Sequence, residues 1–144
     1  MTPEQHHRSL ERMYLAAPIN AFYDPRLRVS EAEAVVEIDL SEKYFHAAGA
    51  VHGSVYFKLL DDAAFFAVNS LLTDVFVLTT SFQTYLTRPV TSGILVAEGS
   101  VVSRTRRLYI GEAVLRDGEG REVGRGSGTF MPSKIALDAR VNYV

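Results

Sequence analysis

The feature that most constrains this chain is a long apolar segment, residues 54–72, that contains neither glycine nor proline. It is long enough for about five turns of helix. Most of the segment is apolar on all sides, which is typical of a helix buried by its neighbours rather than lying on a surface. Ser54 is a suitable N-cap, because its hydroxyl can accept a hydrogen bond from a free amide of the first turn. The fold must therefore bury this helix on several sides.

Two adjacent acids interrupt the segment, and helical geometry places them on different faces. At about 100° per residue, Lys58, Asp62 and Asn69 fall within one narrow stripe, which is expected to be solvated. Asp61 points roughly 80–100° away from Asp62. Its helical neighbours are apolar: Phe57, Phe65 and Val68. A carboxylate in such surroundings loses solvation unless it finds partners, so Asp61 is a candidate for function. The alternative is a structural role, in which Asp61 reaches a backbone donor or an interface arginine.

The rest of the chain predicts one further helix and six strands. Residues 2–17 form the helix, since Thr2 and Gln5 have capping-box spacing and Pro3 stands at the favoured first position. Within it, His6 and His7 are adjacent and do not share a face, so they are expected to be solvated rather than metal-binding. The strands are predicted at residues 19–29 (with a break at 24–25), 31–40, 75–88, 94–103, 108–116 and 121–131.

This order of elements indicates an α+β fold in which an antiparallel sheet curls around the central helix. Gly124, Gly126 and Gly128 alternate on one face of the last strand and leave room for something bulky, such as the central helix or a partner backbone. Pro132 is expected to end that strand, and residues 133–144 are a tail of uncertain order. A chain of 144 residues is expected to form a single domain, residues 1–144, with an N-terminal helix within residues 1–18.

Composition excludes several classes of function. The net charge of −2 gives no reason to expect nucleic-acid binding, and the absence of cysteine excludes disulfides, thiol catalysis and cysteine-based metal sites. The uncharged runs are too short to span a bilayer, and no apolar signal segment is visible at the N-terminus. A cytoplasmic protein without membrane association is therefore expected.

A set of short motifs follows in a characteristic order. A turn, Gly49-Ala50-Val51-His52-Gly53, opens the central helix, and Asp61 lies nine residues after His52. Further pieces follow at 88–90, 93–99, 106–108, 115–117 and 126–130. Over residues 30 to 132 the chain resembles hotdog-fold acyl-CoA thioesterases of the phenylacetate-degradation (PaaI-like) type. The resemblance implies the hotdog fold, a curved antiparallel sheet around a long central helix, and hydrolysis of acyl-CoA or related thioesters.

The resemblance also implies catalytic roles. Asp61 would be the general base or nucleophile, and the backbone N–H of Gly53 would polarise the thioester carbonyl at the helix N-terminus. Thr79 corresponds to a hydroxyl that orients the water or Asp61. Thr80 and Ser81 remain alternatives for that hydroxyl, and ordinary strand propensity explains all three equally.

The resemblance also assigns a catalytic role to His46, in the loop before the helix, and substrate-binding roles to His52 and Ser54 at its start. Relatives commonly have an asparagine where this chain has His46, whose neutral imidazole can still donate one hydrogen bond. The second glycine of the family motif is Ser54, which restricts the backbone beside the oxyanion donor. His52 is assigned to the same substrate-contacting end, although a histidine at such a turn often only satisfies local backbone groups.

Four arginines near strand ends are candidates for the CoA phosphates, since guanidinium groups match phosphate oxygens. They are Arg88, Arg104, Arg106 and Arg107. The alternative is that they are solvated turn charges. Six aromatic residues are candidates for an aromatic or medium-chain acyl pocket, or for ordinary core: Tyr56, Phe57, Phe65, Phe66, Phe76 and Phe82. No cofactor is needed, and the four histidines form no recognisable set of metal ligands.

Two further functions compete with hydrolysis. One is a non-catalytic hotdog module that binds acyl-CoA without turnover, which the His46 and Ser54 departures keep open. The other is a hotdog hydratase, which is disfavoured because its Asp–His pair is missing.

The chain is also expected to assemble. Unpaired edge strands favour association, and apolar residues are expected on both faces of the later strands: Tyr85, Leu95, Val101, Tyr109, Ala113 and Leu115. The resemblance implies a homodimer or homotetramer in which Gly53 of one subunit faces Asp61 of the other.

Overall fold

The computed structural model describes residues 1–144 and contains three α-helices and one six-stranded antiparallel sheet. The helices are α1 (Pro3–Ala16), α2 (Asn20–Tyr23) and α3 (Gly53–Asn69). The strands are β1 (Arg26–Ser30), β2 (Glu33–Asp39), β3 (Val75–Leu86), β4 (Ile94–Arg104), β5 (Tyr109–Asp117) and β6 (Glu122–Ala136). Short 3-10 turns cover Glu42–Tyr44 and Ala139–Val141. None of the helices combines the length and apolar content that crossing a membrane requires.

The sheet wraps around α3, as the apolar segment predicts. Its strand order is β1-β2-β4-β5-β6-β3, so β3 follows α3 in the chain but lies at the far edge of the sheet. Small residues let the helix approach the sheet closely. A Cβ atom on Gly99 would lie 2.3 Å from the backbone carbonyl of Ala63, so only glycine fits at that point of β4. The predicted α+β architecture is confirmed.

Two of the alternating glycines of β6 make room for a different group from the one expected. Cβ atoms on Gly126 and Gly128 would each lie 2.4 Å from the ring of Phe82 on the adjacent strand β3. The bulky group is therefore an aromatic side chain of the same sheet, and not the backbone of a partner. A Cβ on Gly124 would lie 2.9 Å from the carbonyl oxygen of Tyr85 on β3, and it alone of the three would also meet the central helix, at 3.4 Å from Tyr56.

The N-terminal region departs from the predicted strand at residues 19–29. Residues 20–23 form the short helix α2, Asp24 adopts a left-handed conformation with φ 47°, and β1 begins only at Arg26. The Asn20 side chain donates to the backbone carbonyl of Tyr14 at 2.7 Å and fixes this turn against α1. The Tyr44 hydroxyl also lies within hydrogen-bond distance of the backbone carbonyls of Phe22 and Tyr23, at 3.1 and 2.9 Å, so contacts with a distant segment override the local strand preference of residues 19–23.

The C-terminal region is more ordered than predicted. Strand β6 continues through Pro132, which lies opposite Val77 where the pairing with β3 shifts, and ends at Ala136. The tail then packs against α1. Tyr143 is buried, and its hydroxyl lies 2.7 Å from Nδ1 of His6. His6 and His7 are both buried, so the prediction that they are solvated is wrong.

The two edges of the sheet differ in how their backbone groups are used. At the β1 edge, Arg8 of α1 donates to the carbonyl of Val29 at 2.6 Å, and the amide of Val29 donates to Glu11 at 2.9 Å. At the β3 edge no element covers the strand, and Leu78, Tyr85 and Leu86 are about half exposed. Of the apolar residues expected on both faces of the later strands, Leu95, Ala113 and Leu115 are buried in the core, whereas Tyr85 is exposed.

Candidate active site

The start of α3 is capped by a histidine and not by the predicted Ser54. Nδ1 of His52 accepts from the Ser54 amide at 3.0 Å and lies 2.8 Å from the Ser54 hydroxyl. Gly53 is the first helical residue, and its own N–H has no acceptor within the chain. This free amide stands at the positive end of the helix dipole, where a developing negative charge is stabilised.

Asp61 lies in the middle of α3 beside the edge strand. The Thr79 hydroxyl donates to its Oδ1 at 2.9 Å, so the predicted contact between Asp61 and Thr79 is present. Thr80 and Ser81, the alternatives, instead contact the hydroxyl of Thr129, at 2.7 and 2.6 Å. Of the three candidate hydroxyls, only that of Thr79 reaches the acid.

Burial raises the pKa of Asp61 to about 6. The hydrogen bond from Thr79 opposes this shift, the negative charge of Asp62 adds to it, and the ammonium of Lys58 opposes it. An acid in this range is ionised at neutral pH and still binds a proton readily, which suits a general base.

Asp62 is not on a solvated face, so that prediction is wrong. Its Oδ2 accepts from Lys58 at 2.7 Å and from the Tyr14 hydroxyl at 2.6 Å, because α1 packs over this side of α3. Burial raises the pKa of Asp62, against the opposing effect of Lys58. Asn69, from the same predicted stripe, is fully buried and holds the start of β3 through the Val77 amide at 3.1 Å.

A cavity of about 320 Å³ opens in front of Asp61 and Thr79. One wall consists of apolar residues of α3 and β3: Phe65, Phe66, Phe76 and Leu78. The opposite wall is formed by the N-terminal segment: Met13, Tyr14, Ala17, Ile19 and Asn20. Lys58 and Asp62 complete it. Of the six aromatic candidates, Phe65, Phe66 and Phe76 line this cavity, whereas Tyr56, Phe57 and Phe82 do not.

Gly53 and Asp61 cannot act on the same carbonyl from within one subunit. They are eight residues apart on α3, which corresponds to about 12 Å along the helix axis. Leu86, at the end of β3, lies beside Gly53, since a Cβ there would be 3.0 Å from its side chain. Thr79, near the start of β3, lies beside Asp61. The two groups therefore mark opposite ends of the same free strand.

His46 lies in the exposed loop that leads to α3. Its backbone amide donates to the carbonyl of Ala50 at 2.9 Å, and its Nδ1 accepts from the Ala48 amide at 3.1 Å. With Nδ1 accepting, a neutral ring carries its proton on Nε2, which remains free to donate.

The four arginines do not form one cluster within a subunit. All four are exposed. Arg88 lies near the start of α3, where its carbonyl accepts from the Tyr56 hydroxyl at 2.7 Å. Arg104, Arg106 and Arg107 lie at the turn between β4 and β5, at the opposite end of these strands. No group of three or more acidic or histidine side chains is arranged to hold a metal ion.

Sequence reasoning misses the contribution of the N-terminal segment to this site. Nothing in the sequence indicates that Tyr14 reaches Asp62, because the two are 48 positions apart. The four-residue spacing of Lys58 and Asp62 is the only sequence feature that points to this part of the site. It predicts an ion pair between them but not that the pair is buried.

Comparison with known proteins identifies the fold and the family. A family model described as the thioesterase superfamily matches residues 48–124, more than half of the chain. The structure of the E. coli PaaI protein from the phenylacetic acid degradation operon is similar, with a TM-score of 0.85 and 17% identity over 94% of this chain and 99% of that one.

Two further solved structures share the fold. A thioesterase family protein from Silicibacter pomeroyi has a TM-score of 0.82 and 20% identity, over 91% of this chain and 98% of its own. A conserved protein from Pseudomonas aeruginosa has a TM-score of 0.77 and 23% identity, over 85% and 98%. A comparison with curated proteins finds no match. The resemblance to hotdog-fold thioesterases and the predicted hotdog fold are thereby confirmed.

Proposed function

The chain belongs to the thioesterase superfamily, and we propose that it hydrolyses acyl-CoA thioesters to the free acid and CoA. The observation that carries this proposal is the position of Asp61. It is a half-buried carboxylate with a pKa of about 6 that faces an apolar cavity and is held by Thr79. The cavity volume of about 320 Å³ lies at the lower end of the range for small-molecule sites, which favours a compact acyl group.

Asp61 would act as the general base. Its carboxylate removes a proton from water as the water oxygen attacks the thioester carbonyl, and Thr79 keeps the carboxylate oriented. The negative charge that develops on the carbonyl oxygen requires a donor at hydrogen-bond distance. When the tetrahedral intermediate collapses, the carbon–sulfur bond breaks and CoA leaves as a thiolate, which is a good leaving group and takes up a proton.

The oxyanion donor would be the Gly53 amide of the partner subunit. The free edge of β3 supports this assignment, because a long, exposed and partly apolar edge favours pairing with a second copy. If two β3 strands pair antiparallel about a twofold axis near Phe82 and Gln83, the Thr79 end of one lies alongside the Leu86 end of the other. Asp61 of one subunit then faces Gly53 of the other, and a homodimer has two sites.

The residues around the start of α3 would then contact the substrate across this interface. His46 offers Nε2–H as a donor to the carbonyl or the attacking water. His52 and Ser54 shape the turn that presents the Gly53 amide. Arg88, at the same end of the helix, would meet the CoA phosphates. Arg104, Arg106 and Arg107 lie too far away in the same subunit, so they would take part only from a partner in a larger assembly such as a homotetramer.

The direct experiment measures release of free CoA from a panel of acyl-CoA thioesters that differ in chain length and in aromatic content. Hydrolysis of compact acyl groups, dependent on Asp61, is the expected result. Saturable binding of acyl-CoA without any release of CoA would overturn the proposal and favour a binding module instead.

A further inference from the structure

A second pair of charged residues lies immediately beside Asp61 and lines the same cavity. The ammonium of Lys58 lies 2.7 Å from Oδ2 of Asp62, which also accepts from the Tyr14 hydroxyl at 2.6 Å. Lys58 lies over the rings of Tyr14 and Tyr23, 5.3 and 5.0 Å from their centroids. The side chains of Lys58 and Asp62 are only 11% and 17% exposed.

Anchoring α1 to α3 does not by itself explain these charges. A buried ion pair loses much of its solvation, and replacing such a pair with apolar residues is often neutral or stabilising. The same face of α1 already contributes Leu10 and Met13 to the core. What distinguishes the pair is its location: Asp62 is the next residue after Asp61, and Lys58 lies about one helical turn before it.

We propose that Asp62, held by Lys58 and Tyr14, is a positioning residue that sets the pH range in which Asp61 acts as a base. This inference rests on the proposed hydrolysis. Asp62 does not touch the reacting atoms, and it acts through its charge on the neighbouring carboxylate.

The groups that face Asp61 are few, so the direction of each effect can be assigned. On α3, the negative charge of Asp62 makes Asp61 hold its proton more strongly, and Lys58 has the opposite and smaller effect. On β3, its contact is Thr79, which does not titrate. On α1, Tyr14 has a pKa raised far above its usual value by burial, so it stays neutral. Tyr23, next to Asp62, likewise has a raised pKa because of burial.

The test compares two variants by the acid limb of kcat/KM against pH. Asp62→Asn removes a negative charge next to Asp61 and leaves Lys58 uncompensated. Both changes favour the ionised Asp61, so the limb should move to lower pH by about half a unit or more. The double variant Lys58→Met/Asp62→Asn removes both charges. Its limb should also move down, but less than in the single variant.

This ordering separates a charge effect from a packing effect. Equal shifts in the two variants, or no shift in a folded Asp62→Asn protein, would overturn the proposal. The double variant leaves no unpaired charge, so it still gives a result if the single variant folds poorly. A limb at or above that of the wild type would then contradict the inference.

Two further measurements complete the design. Tyr143→Phe is the control, because it loosens the opposite end of α1 by removing the hydroxyl that contacts the buried His6, and it changes no charge near Asp61. Its acid limb should match that of the wild type, and a shift equal to that of Asp62→Asn would overturn the proposal. An NMR titration of the Asp61 carboxyl in the same variants follows the proton without a substrate. If no thioester is hydrolysed, the proposed function fails, while the titration still tests the effect of Asp62.

Discussion

Asp61 is the proposed catalytic base, and its environment makes two effects of Asp61→Asn predictable. Removing the base should lower kcat by about 10²- to 10⁴-fold. The same change should raise the free energy of unfolding at pH 8 by roughly 1 to 2 kcal/mol, since burying an ionised carboxylate costs stability. Rates and thermal unfolding of one preparation check both. Activity close to wild type would refute the role of Asp61 as the base. A loss of stability at pH 8 would contradict the claim that the buried, ionised carboxylate destabilises the folded state.

The pH dependence has a defined sign. Because Asp61 must be ionised to accept a proton, kcat/KM should fall as pH drops through about 6. The stability cost of Asp61 runs the other way. It is present above the raised pKa of the folded state, and it disappears below the ordinary pKa of about 4, where the carboxyl is protonated in both states. The gain from Asp61→Asn should therefore vanish near pH 4, which unfolding curves at several pH values would show. A gain that is the same at pH 4 and pH 8 would not come from ionisation.

Helix periodicity correctly predicts the apolar surroundings of Asp61 but wrongly predicts that Asp62 is solvated. The reason is physical. The angle between adjacent helical residues is fixed by backbone geometry, so the separation of Asp61 from the Lys58 stripe follows from sequence alone. Helix geometry does not determine which other element covers that stripe. Tyr14 reaches Asp62 only because α1 folds back over α3, and His6 is buried for the same reason, against Tyr143. Such long-range contacts leave no local pattern.

The N-terminal segment should set the size limit of the acyl group. It forms one wall of the cavity, although it lies outside the part of the chain that matches the family model. Ala17→Leu adds three carbons to that wall. It should lower kcat/KM for the longer acyl-CoA substrates by about 10-fold or more, with little effect on acetyl-CoA.

Ala16→Leu is the matched control for this prediction. Ala16 is the preceding residue, and it is exposed and outside the cavity. Its variant should keep the wild-type preference for chain length. If both variants change selectivity equally, the effect comes from the end of α1 in general and not from the cavity wall.

The complete enzyme should be an assembly whose sites each draw on two subunits. Gly53→Pro removes the proposed oxyanion donor at the first helical position, where proline is well tolerated. Gly53→Pro and Asp61→Asn should each be inactive alone. Mixing and refolding them together should restore activity, because half of the sites in mixed dimers contain an intact Asp61 and an intact Gly53.

Gly53→Ala provides the control, since it keeps the N–H and adds only a methyl group near the flexible end of Leu86. It should retain most of the activity. Full wild-type activity in a monomer at micromolar concentration, measured by light scattering and rate together, would contradict a shared site. The sequence predicts that edge strands must be covered. It does not predict that β3 is the open one, because strand order depends on pairing between distant segments.

The two edges of the sheet differ, and only the β3 edge is open to pairing with another strand. Arg8 and Glu11 occupy the backbone groups of Val29 on the β1 side, so in the proposed dimer the second copy would add at β3. When two copies join there, each uses its single available edge, and the resulting twelve-stranded sheet is terminated by a sealed β1 at both ends. Strand addition in the proposed assembly would therefore end at two copies, whereas a chain with two open edges would propagate into a filament. In that dimer the N-terminal helix would block further strand addition at β1 as well as form a wall of the cavity.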